Sequence, residues 1–296
     1  MISIRDMVYS SNSDVRNLRE IRRDQRIREI YGRYPELETI DKEIVSARTT
    51  GLIAIIDNNT VEQSHSTNLE KQLLEKRARF IARNDIDPDF DAEKIICPNC
   101  NDTGFYKNKS GLTQVCNKCR QNEIDECCAL SGMRDYSMIK LDNYKDDYFG
   151  NKRHRMSIRR SLIEIVVGSG KHGASGISIY SDGVQTGKTF LAVYTAKLAI
   201  NLGYSAYYMR LDDIASMDED GLDDLRDYDI LIIDDYIASI TMAGMTGTKL
   251  NSVLESRIAK GLPSVIVTSF PIPSLISESD VRISGKIKKA KVIAAE

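Results

Sequence analysis

Gly187-Lys188-Thr189 stands between an apolar run, Ile177 to Ser181, and a helical stretch that begins at Phe190. A glycine, a lysine and a hydroxyl at a strand-to-helix junction are the residue types that hold phosphate. Backbone N–H groups and a helix N-terminus cradle the oxygens, and the ammonium sits between the β- and γ-phosphates. The hydroxyl of Thr189 would ligate Mg²⁺. The expected cradle is Gly183, Val184, Gln185, Thr186, Gly187, Lys188, Thr189 and Phe190. Its sequence departs from G-x-x-x-x-G-K-[ST]: Asp182 occupies the first glycine position, with Gly183 beside it. A carboxylate there is electrostatically unhelpful if it points inward. A chance GKT between a strand and a helix is the bland alternative.

The second half of the pattern is Ile230-Leu231-Ile232-Ile233-Asp234-Asp235, an apolar strand ending in two acids. Asp234 would hold Mg²⁺ through its water shell, and Asp235 would orient or deprotonate the attacking water. A strand ending in Asp-Asp says little alone. Following a GKT by about 45 residues in an α/β pattern, it points to a P-loop nucleoside-triphosphate site. Asp235 stands where many ATPases carry glutamate, and its shorter reach would slow hydrolysis without affecting binding.

Cys97, Cys100, Cys116 and Cys119 form two C-x-x-C pairs separated by 15 residues. Thiolates spaced in this way close a tetrahedral S₄ site, so the expected metal is a structural zinc; free thiols are the alternative. The intervening NDTGFYKNKSGLTQV alternates like strands around a Gly-bearing turn, as in a zinc ribbon. Cys127 and Cys128 lie beyond the second pair on a helical stretch and read as packed small hydrophobes.

These groups need elements to position them. GISIYS (176–181), SAYYMRL (205–211), DILIIDD (229–235) and PSVIVTS (263–269) are short β-branched runs separated by helical stretches. Near-continuous apolar strands alternating with helices imply a parallel sheet covered on both faces, a doubly wound α/β domain. Residues 1 to about 90 read as helical, with apolar positions three and four apart. A break at Gly32 to Pro35 is followed by a helix from Glu36 to about Ala47. A third helix contains Leu69, Leu73, Leu74, Phe80 and Ile81, and 57–66 reads as a polar loop. Arg16, Arg19, Arg22, Arg23, Arg26 and Arg28 read equally as a solvated face or a partner-binding surface. The expected division is 1–92 helical and partner-binding, 93–128 zinc ribbon and 129–296 nucleotide-binding domain.

Net charge is −2, so no global field draws the chain to nucleic acid or membrane, and DNA contact needs a local patch. No apolar run approaches the roughly 20 residues of a membrane span. The first residues lack the apolar core of a secretory signal, so the expected location is cytoplasmic.

The order of helical N-terminus, zinc knuckles and P-loop domain resembles the DnaC/DnaI-type bacterial replicative helicase loaders, including those of phages and mobile elements. RYPELETIDKEI (33–44), CPNCNDTGF (97–105), LSGMRDYSMIKLDNY (130–144) and LNSVLESRIAKGLPSVIVTS (250–269) carry the resemblance along with the phosphate-binding strands. It implies an AAA+ P-loop ATPase with ATP, Mg²⁺ and Zn²⁺. It implies a hexameric replicative helicase as partner of the N-terminal region, contact with single-stranded DNA, and homo-oligomerisation when bound to ATP and helicase. In AAA+ ATPases the strand after the acidic pair ends in a polar sensor, for which Thr268 and Ser269 are the candidates; capping of the strand end is the plain alternative for both. A trans-acting arginine completes such sites. Arg282 is the nearest arginine in this chain, and Lys286 stands where family members often carry one. Catalytic roles would fall to Lys188, Asp235, Ser269 and Arg282.

The chain departs from the family in two further places. Phe270 follows Thr268-Ser269, and Asp218, Glu219, Asp220, Asp223 and Asp224 make acidic a region that loaders use for DNA. Lys286, Lys288, Lys289 and Lys291 are the remaining basic candidates. The resemblance leaves two other readings open. One is an IstB-type transposition helper ATPase, and the other a non-hydrolysing, nucleotide-switched adaptor.

Overall fold

Every residue of Ile230–Asp234 (β5) and Ser264–Thr268 (β6) is buried, as strands covered on both faces must be. The computed structural model describes residues 1–141, 160–161, 163–167, 177–181, 187–237, 244–279 and 281–294. Among these, five parallel strands pair in the order β4-β5-β6-β3-β7. Here β3 is Ile177–Ser181, β4 is Ala206–Arg210 and β7 is Lys291–Ala294.

Alternation along each strand builds two cores. Ile230, Ile232, Val265 and Val267 face Leu191, Ala192, Val193, Ala196 and Ala199 of the helix Lys188–Asn201. Leu231, Ile233 and Ile266 face the opposite layer. There Leu222 and Leu225 come from the helix Glu219–Asp227, and Leu250, Val253 and Leu254 from Met245–Ala259. Helices therefore cover both faces, as the sequence implies. The strand β7 was not foreseen; it pairs Ser178 to Ser181 of β3 with Lys291 to Ala294.

Arg257, on the Met245–Ala259 helix, is fully buried, and burial pulls its pKa down to about 9 against the pull of Asp229 and Asp227. Its guanidinium donates to the carbonyls of Leu225, Tyr228 and Pro263 and to Ser264 Oγ. It thus supplies donors to buried carbonyls at the end of the Glu219–Asp227 helix and ahead of β5 and β6, of which Pro263 O also accepts from the Leu231 N–H at 3.4 Å.

By contact density the chain separates into two units. One is Met1–Ser10 with Thr103–Glu296, and the other is Ser11–Asp102. The first helix, α1, is Ile4–Arg33. Its Ile4 and Val8 are fully buried in the α5-side core of the sheet unit, where α5 denotes Lys188–Asn201.

The helical unit contains α2 (Pro35–Ile56) and α3 (Thr60–Arg83). Proline at the first helical position starts α2, as the GRYPE break implies. Two expectations are corrected. The helix α2 runs nine residues past Ala47 to Ile56, through the uncharged TTGLIAII. Residues 60–66 are helical rather than a loop: Asn59 Oδ1 accepts from the Glu62 backbone N–H at 3.1 Å, an N-cap that outweighs polar composition. The arginine run is partly structural. Arg19 bonds Glu93 at 2.6 Å, and Arg26 donates to the carbonyls of Phe90 and Ala92. No described helix is long and apolar enough to cross a membrane.

Candidate nucleotide site and metal centre

Four sulfurs come together. Cys97, Cys100, Cys116 and Cys119 place their Sγ atoms within 4.8 Å of one another, and none is in a disulfide. A tetrahedral Zn–S₄ centre with bonds of about 2.3 Å has sulfurs about 3.8 Å apart, so the donor set fits zinc. The turns that aim the thiols are built locally. Asp102, buried at φ 63°, accepts from the backbone N–H groups of Cys97 at 2.6 Å and Ile96 at 3.0 Å. On the other side, the Cys116 N–H donates to Gly104 O and the Arg120 N–H to Cys116 O, both at 2.8 Å. Between the knuckles, β1 (Phe105–Lys107) and β2 (Thr113–Val115) form the antiparallel hairpin that a zinc ribbon requires. Cys127 and Cys128 are buried on α4 (Gln121–Cys128) and are not members of this sulfur set. Burial pushes their thiols up to about 11 and about 12.

In a parallel sheet all strands end on the same edge, and ligands of open α/β sheets bind in the crevice outside those ends. Ser181 of β3 is in register with Thr268 of β6, and Arg210 of β4 with Asp234 of β5. The residues that end β3, β4, β5 and β6 therefore share one edge. At that edge Gly187 adopts φ 82°, a left-handed conformation that favours glycine, and α5 starts at Lys188. Lys188 is buried and Thr189 half-buried in the first turn of α5. The first N–H groups of any helix have no carbonyl within it, which with the dipole favours an anion there. Gly183, Val184, Gln185 and Thr186, with Asp182, lie outside the described residues.

Asp234 is 2% exposed. The Tyr208 hydroxyl donates to its Oδ2 at 2.7 Å, and its Oδ1 accepts from the Asp235 backbone N–H at 2.8 Å. Tyr136 Oη is 3.0 Å from Tyr208 Oη. One phenol carries one proton, so with Tyr208 committed to the carboxylate the Tyr136 hydroxyl is the donor in that second contact. Burial, then these two neighbours, raise the Tyr208 phenol well above its ordinary range and keep it a donor. The segment that supplies Tyr136 packs tightly on β4: a Cβ at Gly132 would fall 1.9 Å from Tyr208 O. Lys197 of α5 holds the same segment through the carbonyls of Tyr136 and Ile139, both at 2.7 Å.

Asp235 has φ 53° and is exposed. Its Oδ2 lies 2.9 Å from the Arg210 guanidinium, and Asp235 in turn raises the arginine's pKa. Sequence reading did not find Arg210 or Tyr208. Both lie on β4, and only the parallel register brings them beside β5.

At the end of β6, Thr268 Oγ1 donates to Tyr236 O at 2.9 Å and accepts from the Phe270 N–H at 3.1 Å. That hydroxyl caps the strand end. Ser269 is exposed at the edge. Arg282 lies on the helix Val281–Ile287, and its side chain is outside the described ones. Lys286 of that helix donates to Asn251 Oδ1 at 2.8 Å and sits 3.4 Å from Glu255. Lys291 pairs with Glu164 at 2.7 Å. Two of the four C-terminal lysines are thus engaged within the fold.

No protein-family model matches this sequence, and no curated protein does either. Solved structures do match. The DnaC helicase loader is 18% identical, with a TM-score of 0.44, over 55% of this chain and 99% of that one. A DnaI structure is 16% identical, with a TM-score of 0.43, over 53% of this chain and 87% of that one. DnaA from Aquifex aeolicus, solved with AMPPCP, is 17% identical, with a TM-score of 0.44, over 53% of this chain and 50% of that one. The chain thus spans about half the length of that DnaA structure.

Proposed function

We propose that the chain is an ATP-binding helicase loader of the DnaC/DnaI type that works as a nucleotide-gated switch. Residues 1–92 would engage a hexameric replicative helicase, and the AAA+ domain would assist its placement on single-stranded DNA during replication initiation. The observation that carries the reading is the shared strand edge. Gly187, Lys188 and Thr189 open α5 there, and buried Asp234 ends β5 two strands away. In this reading the phosphates would lie at the start of α5 and the metal-holding acid at the end of β5. The order of motifs along the chain supports the loader assignment.

In this reading Gly183 to Phe190 cradle the phosphates and Lys188 neutralises them. Thr189 and Asp234 hold Mg²⁺, which when bound would supply charge neutralisation at the phosphates. Tyr208 fixes the Asp234 carboxylate in one orientation. Asp235 and Ser269 would act on the water, and Arg282 would act in trans in an oligomer. The four cysteines would hold a structural Zn²⁺ that takes no part in the chemistry.

The Arg210–Asp235 pair favours a switch over a fast motor. The guanidinium occupies Asp235 Oδ2 at 2.9 Å, so that oxygen is not open to a water until the pair parts. The test is loading of the host's purified replicative helicase onto single-stranded DNA by wild type and Lys188→Ala. Loss of loading in the variant is expected. Normal loading by Lys188→Ala would sink the nucleotide-gated reading, and recovery of a transposase instead of a helicase from host cells would favour the IstB-type alternative.

A further inference from the structure

Tyr136 reaches the buried acid of β5 through a second phenol. It ends the short helical turn Arg134–Tyr136, in the segment that follows α4. Its ring meets the Tyr208 ring edge-on, with centroids 5.1 Å apart. The two hydroxyls are 3.0 Å apart, and Tyr208 Oη is 2.7 Å from Asp234 Oδ2. With Tyr208 donating to the carboxylate, the donors run in one direction, Tyr136 to Tyr208 to Asp234. Each bond in such a relay polarises the next, so the outer phenol strengthens the inner contact.

The segment that carries Tyr136 is fixed at two points. At Gly132, φ 82°, it lies so close to β4 that a Cβ would fall 1.9 Å from Tyr208 O. Farther along, the half-buried Lys197 ammonium donates to Tyr136 O and Ile139 O, both at 2.7 Å. An ammonium taken out of water is costly to leave unpaired, which makes this clamp a firm one. Lys197 is nine residues beyond Lys188 on α5, about 14 Å along the helix axis, so it does not share the phosphate cradle. Its charge alone would oppose a nearby cation. An effect of Lys197 that favours Mg²⁺ therefore has to pass through position, and Tyr136 is the residue it positions.

We propose that Lys197 and Tyr136 are positioning residues for the metal-holding carboxylate. Lys197 sets residues 129–139, Tyr136 sets Tyr208, and Tyr208 sets Asp234. The inference rests on the nucleotide-site reading. It adds that the metal half of that site is governed from the segment after α4, so that displacing this segment loosens Mg²⁺ and leaves the phosphate cradle intact.

The experiment titrates ATP into the purified full-length chain by calorimetry, once in EDTA and once with Mg²⁺. The proteins are wild type, Tyr136→Phe, Lys197→Met and the double variant. Lys249→Met is the control. Its ammonium also donates to two carbonyls, Ala215 O at 3.1 Å and Met217 O at 2.7 Å, from the Met245–Ala259 helix on the other face of the sheet. Affinity in EDTA is expected to be the same throughout. The gain in affinity on adding Mg²⁺ is expected to fall about fivefold in each single variant, the scale of one neutral hydrogen bond. It should fall no further in the double variant, because both residues act through one relay, and should not fall in the control. Tyr136→Phe removes a single oxygen and carries the test by itself if Lys197→Met does not fold. A wild-type Mg²⁺ gain in Tyr136→Phe would overturn the relay and leave the nucleotide reading standing. Equal losses with and without Mg²⁺ would make Tyr136 a packing residue and would also overturn it. A larger Mg²⁺ gain in Lys197→Met would show that its charge matters and its position does not, which removes Lys197 from the relay. Failure of wild type to bind ATP in either condition would overturn the nucleotide reading and the relay with it.

Discussion

Arg210 and Asp235 are bound to each other at 2.9 Å across neighbouring strand ends, and both are more than half exposed. The pair links the end of β4 to the acid proposed to act on water. An exposed pair of this kind contributes little to stability. In the proposed mechanism its effect would be on the chemistry. Arg210→Ala is expected to raise basal ATP hydrolysis about three- to tenfold, a fraction of what a positioned general base contributes. The melting temperature should not move. Phosphate release at steady state checks this, and an unchanged or lower rate with intact nucleotide binding would remove Asp235 from the mechanism.

Tyr208→Phe deletes the donor to Asp234 Oδ2 while keeping the ring in its core. The expected cost is about 1 kcal/mol of stability. Weaker Mg²⁺-dependent nucleotide binding is expected too, because the carboxylate is freed to rotate. The raised Tyr208 pKa fixes the sign of any pH effect. The phenol stays protonated below its unfolded value, near 10, so the contact persists across pH 6 to 9 and is lost only at higher pH. A variant whose Mg²⁺ dependence matches wild type would show that Tyr208 is structural alone.

Strands with near-continuous Ile and Val runs announced the parallel sheet, because burial on both faces removes alternation with polar residues. The C-x-x-C spacing announced the sulfur cluster, since four thiols at such intervals have few other uses. The partners of the acids were illegible: Tyr208 and Arg210 reach β5 through register, which no local pattern encodes. Ile4 and Val8 were equally silent, because two apolar residues in an arginine-rich helix do not reveal a core more than a hundred residues away. At Asn59 the signal existed, an Asn followed by Glu three residues on, and polar composition obscured it.

Arg257→Leu is expected to destabilise the sheet unit by about 3 kcal/mol. It leaves the buried carbonyls of Leu225 and Tyr228 without this donor, and Pro263 O with only the Leu231 N–H at 3.4 Å. Chemical denaturation measures it, and a loss under about 1 kcal/mol would mean that those carbonyls find other donors.

Chelation should separate the six cysteines into two classes. With metal removed at pH 8, Cys97, Cys100, Cys116 and Cys119 are expected to react with a thiol reagent. Cys127 and Cys128 should not, since burial keeps them as neutral thiols. Their raised values also set a linkage. The stability they contribute is complete below about pH 9 and is lost as pH rises through about 11 to 12. Six rapidly reacting thiols in folded, chelated protein would contradict the packed role of the last two.

The most direct test is isothermal titration of ATP with Mg²⁺ into the wild-type chain and Lys188→Ala. The account predicts one site per chain in the wild type and loss of at least about tenfold in affinity on removing the charge between the phosphates. No heat of binding in the wild type, or equal affinity in a folded Lys188→Ala, would contradict it.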